Sequence, residues 1–220
     1  MTAITQFESS IAAADQLVAI YFELRHSRNL GQRGRLDVGN TDLLSLPRAA
    51  VVASMSALDA YVHAVLYERI PLALKSNPVP DSLCELMSSA IPIRNGNSFR
   101  DAIPLLVAQD SLAELSAKIK ERTLAFLSYQ APEKIIAAYE LIGHDNVFER
   151  VADLWPGPAT EAEDIKRNLA AYAKRRNQIA HEGDHDANGH PRAMQPQYAQ
   201  GCRNFIAGLV TRLNRVAFNV

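Results

Sequence analysis

A chain of 220 residues, 48% hydrophobic and 21% charged, is long enough to bury a full core and has the balance of a soluble globular protein. Its formal net charge of −1 excludes attraction of the whole molecule to nucleic acid, so any contact with phosphates must come from a local patch. The two cysteines, Cys84 and Cys202, are far apart and show no Cys-x-x-Cys spacing, which argues against a disulfide framework or zinc ribbon and for reduced thiols in a cytoplasm.

The N-terminus, Met1-Thr2-Ala3-Ile4-Thr5-Gln6, carries no basic region and does not read as a signal peptide. Ile4, Phe7, Ile11, Ala14, Val18 and Tyr21 then step by three and four, the stripe of a first long helix that is expected to stop near Ser27. Gly31, Gly34 and Gly39 punctuate the stretch Arg28–Thr41. Arg28, Arg33 and Arg35 make that stretch either a phosphate-touching loop or an ordinary solvated one.

A second helix is expected over about Leu46–Arg69, with Pro47 in its first turn and Val51, Met55, Leu58, Val62 and Val65 facing inward. Its most apolar part, Ala49–Leu66, is interrupted by Asp59 and His63 and so does not read as a membrane span. Pro71, Pro78 and Pro80 are expected to break the chain. Short helices follow near Ser82–Ala90 and Ser98–Ala108, and Leu112, Leu115, Ile119, Thr123 and Phe126 mark another. Pro132 opens a helix carrying Ile135, Ile136, Tyr139 and Ile142, which Gly143 stops; a further short one lies near Val147–Trp155.

Two long helices close the chain. The first starts near Thr160, with Glu161, Glu163 and Asp164 suiting its positive end, and runs to Gly183. The second covers about Pro196–Phe218, with Cys202, Phe205, Leu209, Leu213 and Val216 inward. No stretch alternates as a strand would. The expectation is one all-α domain over residues 1–220, four long helices in a bundle, with about 71–158 an inserted helical elaboration.

The segment Lys174-Arg175-Arg176-Asn177-Gln178-Ile179-Ala180-His181-Glu182-Gly183-Asp184 carries the chemistry. Ile165, Leu169, Tyr172, Arg176 and Ile179 follow helical steps, so Arg176 occupies the apolar stripe of its own helix. A guanidinium there is costly unless it is paired or faces a cleft or partner chain. Asn177 and His181 are four apart, which lets the amide orient the imidazole. The helix C-terminus, with Glu182 and Asp184, is expected to favour the protonated ring. A titratable imidazole beside a fixed cation suits phosphodiester cleavage, the arginine neutralising the phosphate as charge builds on it. The milder alternative is that Arg176 and His181 form a structural bridge or helix cap.

Arg176-Asn177-Gln178-Ile179-Ala180-His181 resembles the Arg-polar-x-x-x-His motif of the HEPN superfamily of ribonucleases. The longer string from Arg175 to Asp184 is similar to its RiboL-PSP branch, as are Ser56-Ala57-Leu58-Asp59-Ala60-Tyr61 and Tyr129-Gln130-Ala131-Pro132-Glu133-Lys134-Ile135, together covering roughly residues 45–215 in the same order. The resemblance implies metal-independent RNA cleavage without a cofactor, in a homodimer that brings two motifs into a composite site. It also implies a toxin or anti-phage effector, with an antitoxin or other regulatory partner. Arg176, His181 and Asn177 would be catalytic, and Asp59, on an early helix, a candidate auxiliary acid.

Asp59 could equally be a carboxylate paired with His63, and Lys174 and Arg175 either an RNA-backbone contact or a solvated basic face. The cluster His181, His185, His190, Glu182, Asp184 and Asp186 matches no metal-site spacing, and no metal is expected. Tyr61, Tyr172 and Trp155 read as core or interface residues rather than base-stacking platforms. Two other functions remain open: a catalytically silent HEPN module that binds RNA or a partner protein, and a substrate-binding subunit for a nucleotidyltransferase.

Overall fold

The computed structural model describes residues 2–31, 36–90, 96–155 and 160–219. Arg33 and Arg35, two of the three arginines of the early basic loop, lie outside the described residues. The described chain is all-helical, without a strand; its one bridge of β type joins His185 to Pro191. In order the helices are α1 (Ala3–Ser27), α2 (Ser45–Ala73), α3 (Asp81–Ala90), α4 (Gly96–Leu106), α5 (Ser111–Arg122), α6 (Pro132–Glu140), α7 (Val147–Asp153), α8 (Ala162–His181) and α9 (Pro196–Phe218).

The four long helices expected from periodicity are α1, α2, α8 and α9. The first is capped by Thr2, whose hydroxyl accepts the Thr5 amide at 3.3 Å, and its predicted stripe from Phe7 to Tyr21 is buried as expected. Most central is α2, which packs against α1, α8 and α9 and also meets α5 and α6. The helical run Val38–Ala73 is apolar enough by composition to cross a membrane, but 61% of its most apolar window is buried inside the bundle. Val51, Met55, Leu58, Tyr61, Val62, Val65 and Leu66 of α2 are fully enclosed.

Three expectations for the elements need correction. Pro71 does not break α2, which continues to Ala73; the proline lies in the last turn, where burial of Ile70 and Ala73 holds the helix together. Phe126 is not on a buried stripe. Helix α5 stops at Arg122 and the chain tightens into a 3-10 turn over Leu124–Phe126, which buries Leu124 and leaves Phe126 82% exposed. The loop after α1 holds a 3-10 helix, Val38–Leu44, that no periodicity announced. Arg28 is tied to it through both Asp42 carboxylate oxygens, at 2.9 and 2.8 Å.

Parts of the middle of the chain belong to the core. Tyr139 of α6 and Phe148 of α7 are fully buried in the cluster that also holds residues of α1, α2, α8 and α9. The Tyr139 hydroxyl donates to the Leu213 carbonyl of α9 at 3.1 Å, and the Tyr61 hydroxyl to Asn214 at 3.3 Å. Gly143 ends the α6 region with φ +77, a conformation that favours glycine.

Between α6 and α7 the buried His144 accepts a hydrogen bond on Nδ1 from Arg150 at 2.8 Å, so that nitrogen must be unprotonated. Burial, and secondarily the Arg150 charge, push the His144 pKa below its usual 6.5. A depressed histidine pKa means that the unfolded chain binds the proton more readily, so this contribution is complete above about pH 6.5 and declines as pH falls through the folded-state value. The melting temperature is therefore expected to drop more steeply between pH 7 and 5 in the parent than in His144→Gln, which retains an acceptor for Arg150 but does not titrate. Parallel curves for the two proteins would show that His144 does not couple folding to pH.

Candidate functional site

The predicted motif lies at the C-terminal end of α8. That helix begins with Glu163 and Asp164 in its first turn and buries Ile165, Leu169 and Ala173 against the bundle. It ends at His181 rather than Gly183, because Gly183 and Asp184 both adopt left-handed backbone, φ +62 and +59. The amides of Glu182 and Asp184 both donate to the Gln178 carbonyl, at 3.1 and 3.0 Å, closing the last turn.

Arg176, Asn177 and His181 come together. Arg176 Nη1 donates to Asn177 Oδ1 at 3.1 Å and contacts His181 Nε2 at 3.4 Å. Accepting that bond requires an unprotonated Nε2, which puts the ring proton on Nδ1. Arg176 is half-buried, and its Nε is enclosed with no hydrogen-bond partner, whereas Asn177 and His181 are exposed. The arginine is thus enclosed at its Nε, while its Nη1 meets two exposed side chains, an amide and an imidazole.

This arrangement differs from the sequence expectation in two respects. Asn177 holds the guanidinium rather than the imidazole, since its Oδ1 accepts from Arg176. The acidic neighbours are paired with arginines rather than with the imidazole: Glu182 faces Arg192 at 3.4 Å and Asp184 is turned inward onto Arg175.

Asp184 organises the ground beneath the motif. It is 2% exposed, and its carboxylate receives both Nη atoms of Arg175 and the Nε of Arg48. Arg175 continues to the Ala193 carbonyl at 2.9 Å and Arg48 to the Arg192 carbonyl at 2.8 Å. The Asp184 carbonyl in turn accepts the Arg192 amide at 2.7 Å. One carboxylate thereby joins the start of α2, the end of α8 and the hairpin leading to α9. A pairing across 136 residues leaves no sequence signal, so Arg48 was missed. The only hint for Asp184 was an aspartate directly after a helix-stopping glycine, a place where left-handed backbone is tolerated.

The remaining candidates separate. Arg175 is committed to Asp184, with its side chain 13% exposed, so it is not available as a free phosphate contact; Lys174 is exposed. Asp59 does not pair with His63. Its Oδ1 accepts from the Tyr129 amide and from Ser128, while His63 Nε2 meets the Leu127 carbonyl at 3.1 Å. Both side chains hold the segment before α6. Among the described residues the hydrogen-bond partners of Asp59 are Ser128 and Tyr129, and those of Arg176 are Asn177 and His181, so no hydrogen bond joins Asp59 to the motif.

Asp186 accepts the Asn188 and His190 amides, each at 2.9 Å, and forms a turn. Among the described residues no three histidine, cysteine, aspartate or glutamate side chains gather as metal ligands would. Tyr172 stacks between Tyr198 at 5.4 Å and Phe205 at 5.5 Å, and Trp155 continues the row under the Arg212 guanidinium.

Around the α8 terminus Arg48 and Arg175 pair with Asp184 and Arg192 with Glu182, while Arg176 faces His181. Among the described residues, in a chain with a net charge of −1, the two carboxylates meet three of these arginines and leave the Arg176 guanidinium beside the exposed His181 without an acidic partner. No family model, curated protein or solved structure matches the chain.

Proposed function

We propose that the chain is a HEPN-type endoribonuclease that cleaves RNA by transesterification at the exposed end of α8. The observation that carries this reading is the 3.4 Å contact between Arg176 Nη1 and His181 Nε2 on an accessible, locally cationic surface. A guanidinium unpaired with any carboxylate and set beside an exposed imidazole can take phosphate oxygens and stabilise the charge that develops on them. An imidazole with one unprotonated nitrogen can take the proton of a ribose 2′-hydroxyl. That oxygen then attacks phosphorus and the bond to the 5′-oxygen breaks, leaving a 2′,3′-cyclic phosphate. The 5′-oxygen needs a proton in return. One histidine cannot serve both transfers at once, so the reading includes a symmetric homodimer in which the partner's His181 completes the site.

The resemblance to HEPN proteins extends the proposal to a cytoplasmic toxin or anti-phage effector held in check by an antitoxin or another regulatory partner. The direct test is cleavage of a fluorescently labelled single-stranded RNA by the parent and by His181→Ala. Cleavage by the parent alone is expected; equal rates for the two would end the proposal.

The dimer makes a separate prediction. Sedimentation at micromolar concentration is expected to give a dimer, and activity per chain to fall on dilution below its dissociation constant. A monomer cutting at the full rate would remove the composite site.

One feature favours the silent-module alternative. Phe99, Ile103 and Val107 are exposed along the same side of α4 and its extension, an apolar face of the kind that engages a partner protein. A parent protein that binds but never cleaves RNA would select that reading.

A further inference from the structure

We propose that Asp184, acting with Arg48 and Arg175, is the positioning residue of the Arg176–His181 site, fixing where the imidazole stands relative to the guanidinium. The inference deepens the ribonuclease reading and rests on it for its kinetic arm.

His181 is the last residue of α8, where a helix ordinarily frays. Here the next three residues turn back sharply, and the third, Asp184, is drawn into the protein by two guanidinium groups. Its amide returns to the Gln178 carbonyl in the turn that carries His181. The same carboxylate holds Arg175, the neighbour of Arg176, so both sides of the catalytic contact are referred to one buried anchor. Arg48 ties that anchor to α2, the most enclosed helix of the bundle.

The hairpin beyond adds a second brace. Asp186 N donates to the His190 carbonyl at 2.8 Å, and the Arg192 amide to the Asp184 carbonyl at 2.7 Å. None of these groups need touch RNA. Removing the negative charge leaves two guanidinium groups facing each other without their counter-ion, and their repulsion opens the hairpin and loosens the last turn of α8.

Asp184→Asn tests this, because asparagine tolerates the left-handed backbone and nearly preserves the shape while deleting the charge. In protein whose circular dichroism is native, kcat is expected to fall on the order of a hundredfold, the cost of misplacing a reacting group by about an ångström, while KM stays within about threefold. The ring resonances of His181 should move in the NMR spectrum, while those of His63 and His144, which contact other parts of the fold, stay in place. Should Asp184→Asn not fold, Arg48→Met keeps the Arg175 pair and releases only the tie to α2, and the same changes are expected at smaller amplitude.

Parent-like kcat per folded molecule with unmoved His181 resonances overturns the proposal. So do shifts spread over all three histidines, which indicate general loosening. A parent without ribonuclease activity sinks the function proposed above, yet the His181 resonances still decide whether Asp184 positions that ring.

Discussion

Arg176→Ala is expected to abolish RNA cleavage and leave the fold intact. Of Arg176, Asn177 and His181, the guanidinium is the group able to hold a phosphate bidentately, and loss of a single charge-stabilising donor in such a site costs about 10²–10³ in rate. The stability side follows from its surroundings. Among the described residues Arg176 hydrogen-bonds Asn177 and His181, both exposed, and pairs with no carboxylate, so alanine strands no buried counter-charge. The expected destabilisation is under about 1 kcal/mol, a melting shift within about 4 °C for a chain of this size.

The contrast with the preceding residue sharpens the expectation. Arg175→Ala would leave the Asp184 carboxylate buried with Arg48 as its remaining cationic partner, and breaking a buried pair in this way costs about 3–5 kcal/mol. Thermal unfolding and a labelled-RNA assay on the two variants separate the roles. A large melting loss for Arg176→Ala, with cleavage falling only in proportion to unfolding, would make Arg176 a structural anchor instead.

That two adjacent arginines have opposite tasks shows what the sequence could reveal and what it could not. Helical spacing placed Arg176 on the inward stripe because Ile165 and Leu169 fix the phase of α8, and their burial bears this out. The long stripes of α1, α2 and α9 were legible for the same reason: each repeats over several turns against a single core. Arg175 was not legible, since its partner lies beyond a helix stop whose two left-handed residues turn the chain back on itself. Asp59 failed similarly. Its pairing with His63 is allowed by an i, i+4 spacing, but the unpaired amide of Tyr129, seventy residues away, is the stronger claimant for a carboxylate oxygen. Phe126 and Leu124 show the local limit, because a single 3-10 turn changes which side chain faces inward without altering the apolar count.

The chemistry of the cluster sets the sharpest test of the proposed reaction. A guanidinium and an imidazole supply charge and proton transfer but no nucleophile of their own, so the attacking oxygen has to be the ribose 2′-hydroxyl. Replacing one ribose, 5′ to a chosen scissile phosphate, with deoxyribose is expected to block that cut and leave neighbouring cuts unaffected. An all-DNA strand should be inert, and the products from RNA should end in a 2′,3′-cyclic phosphate, or its opened form, and a 5′-hydroxyl. Excess EDTA should leave the rate unchanged, because neither proposed group needs a metal to act. Suppose instead that EDTA stops the reaction and magnesium or manganese restores it, with the deoxy-substituted site still cut. The nucleophile would then be a water, activated by a metal in the way such sites generate hydroxide. Arg176 and His181 would be left as binding groups, and the acidic residues from Glu182 to Asp186 would become the first place to look for the ligands.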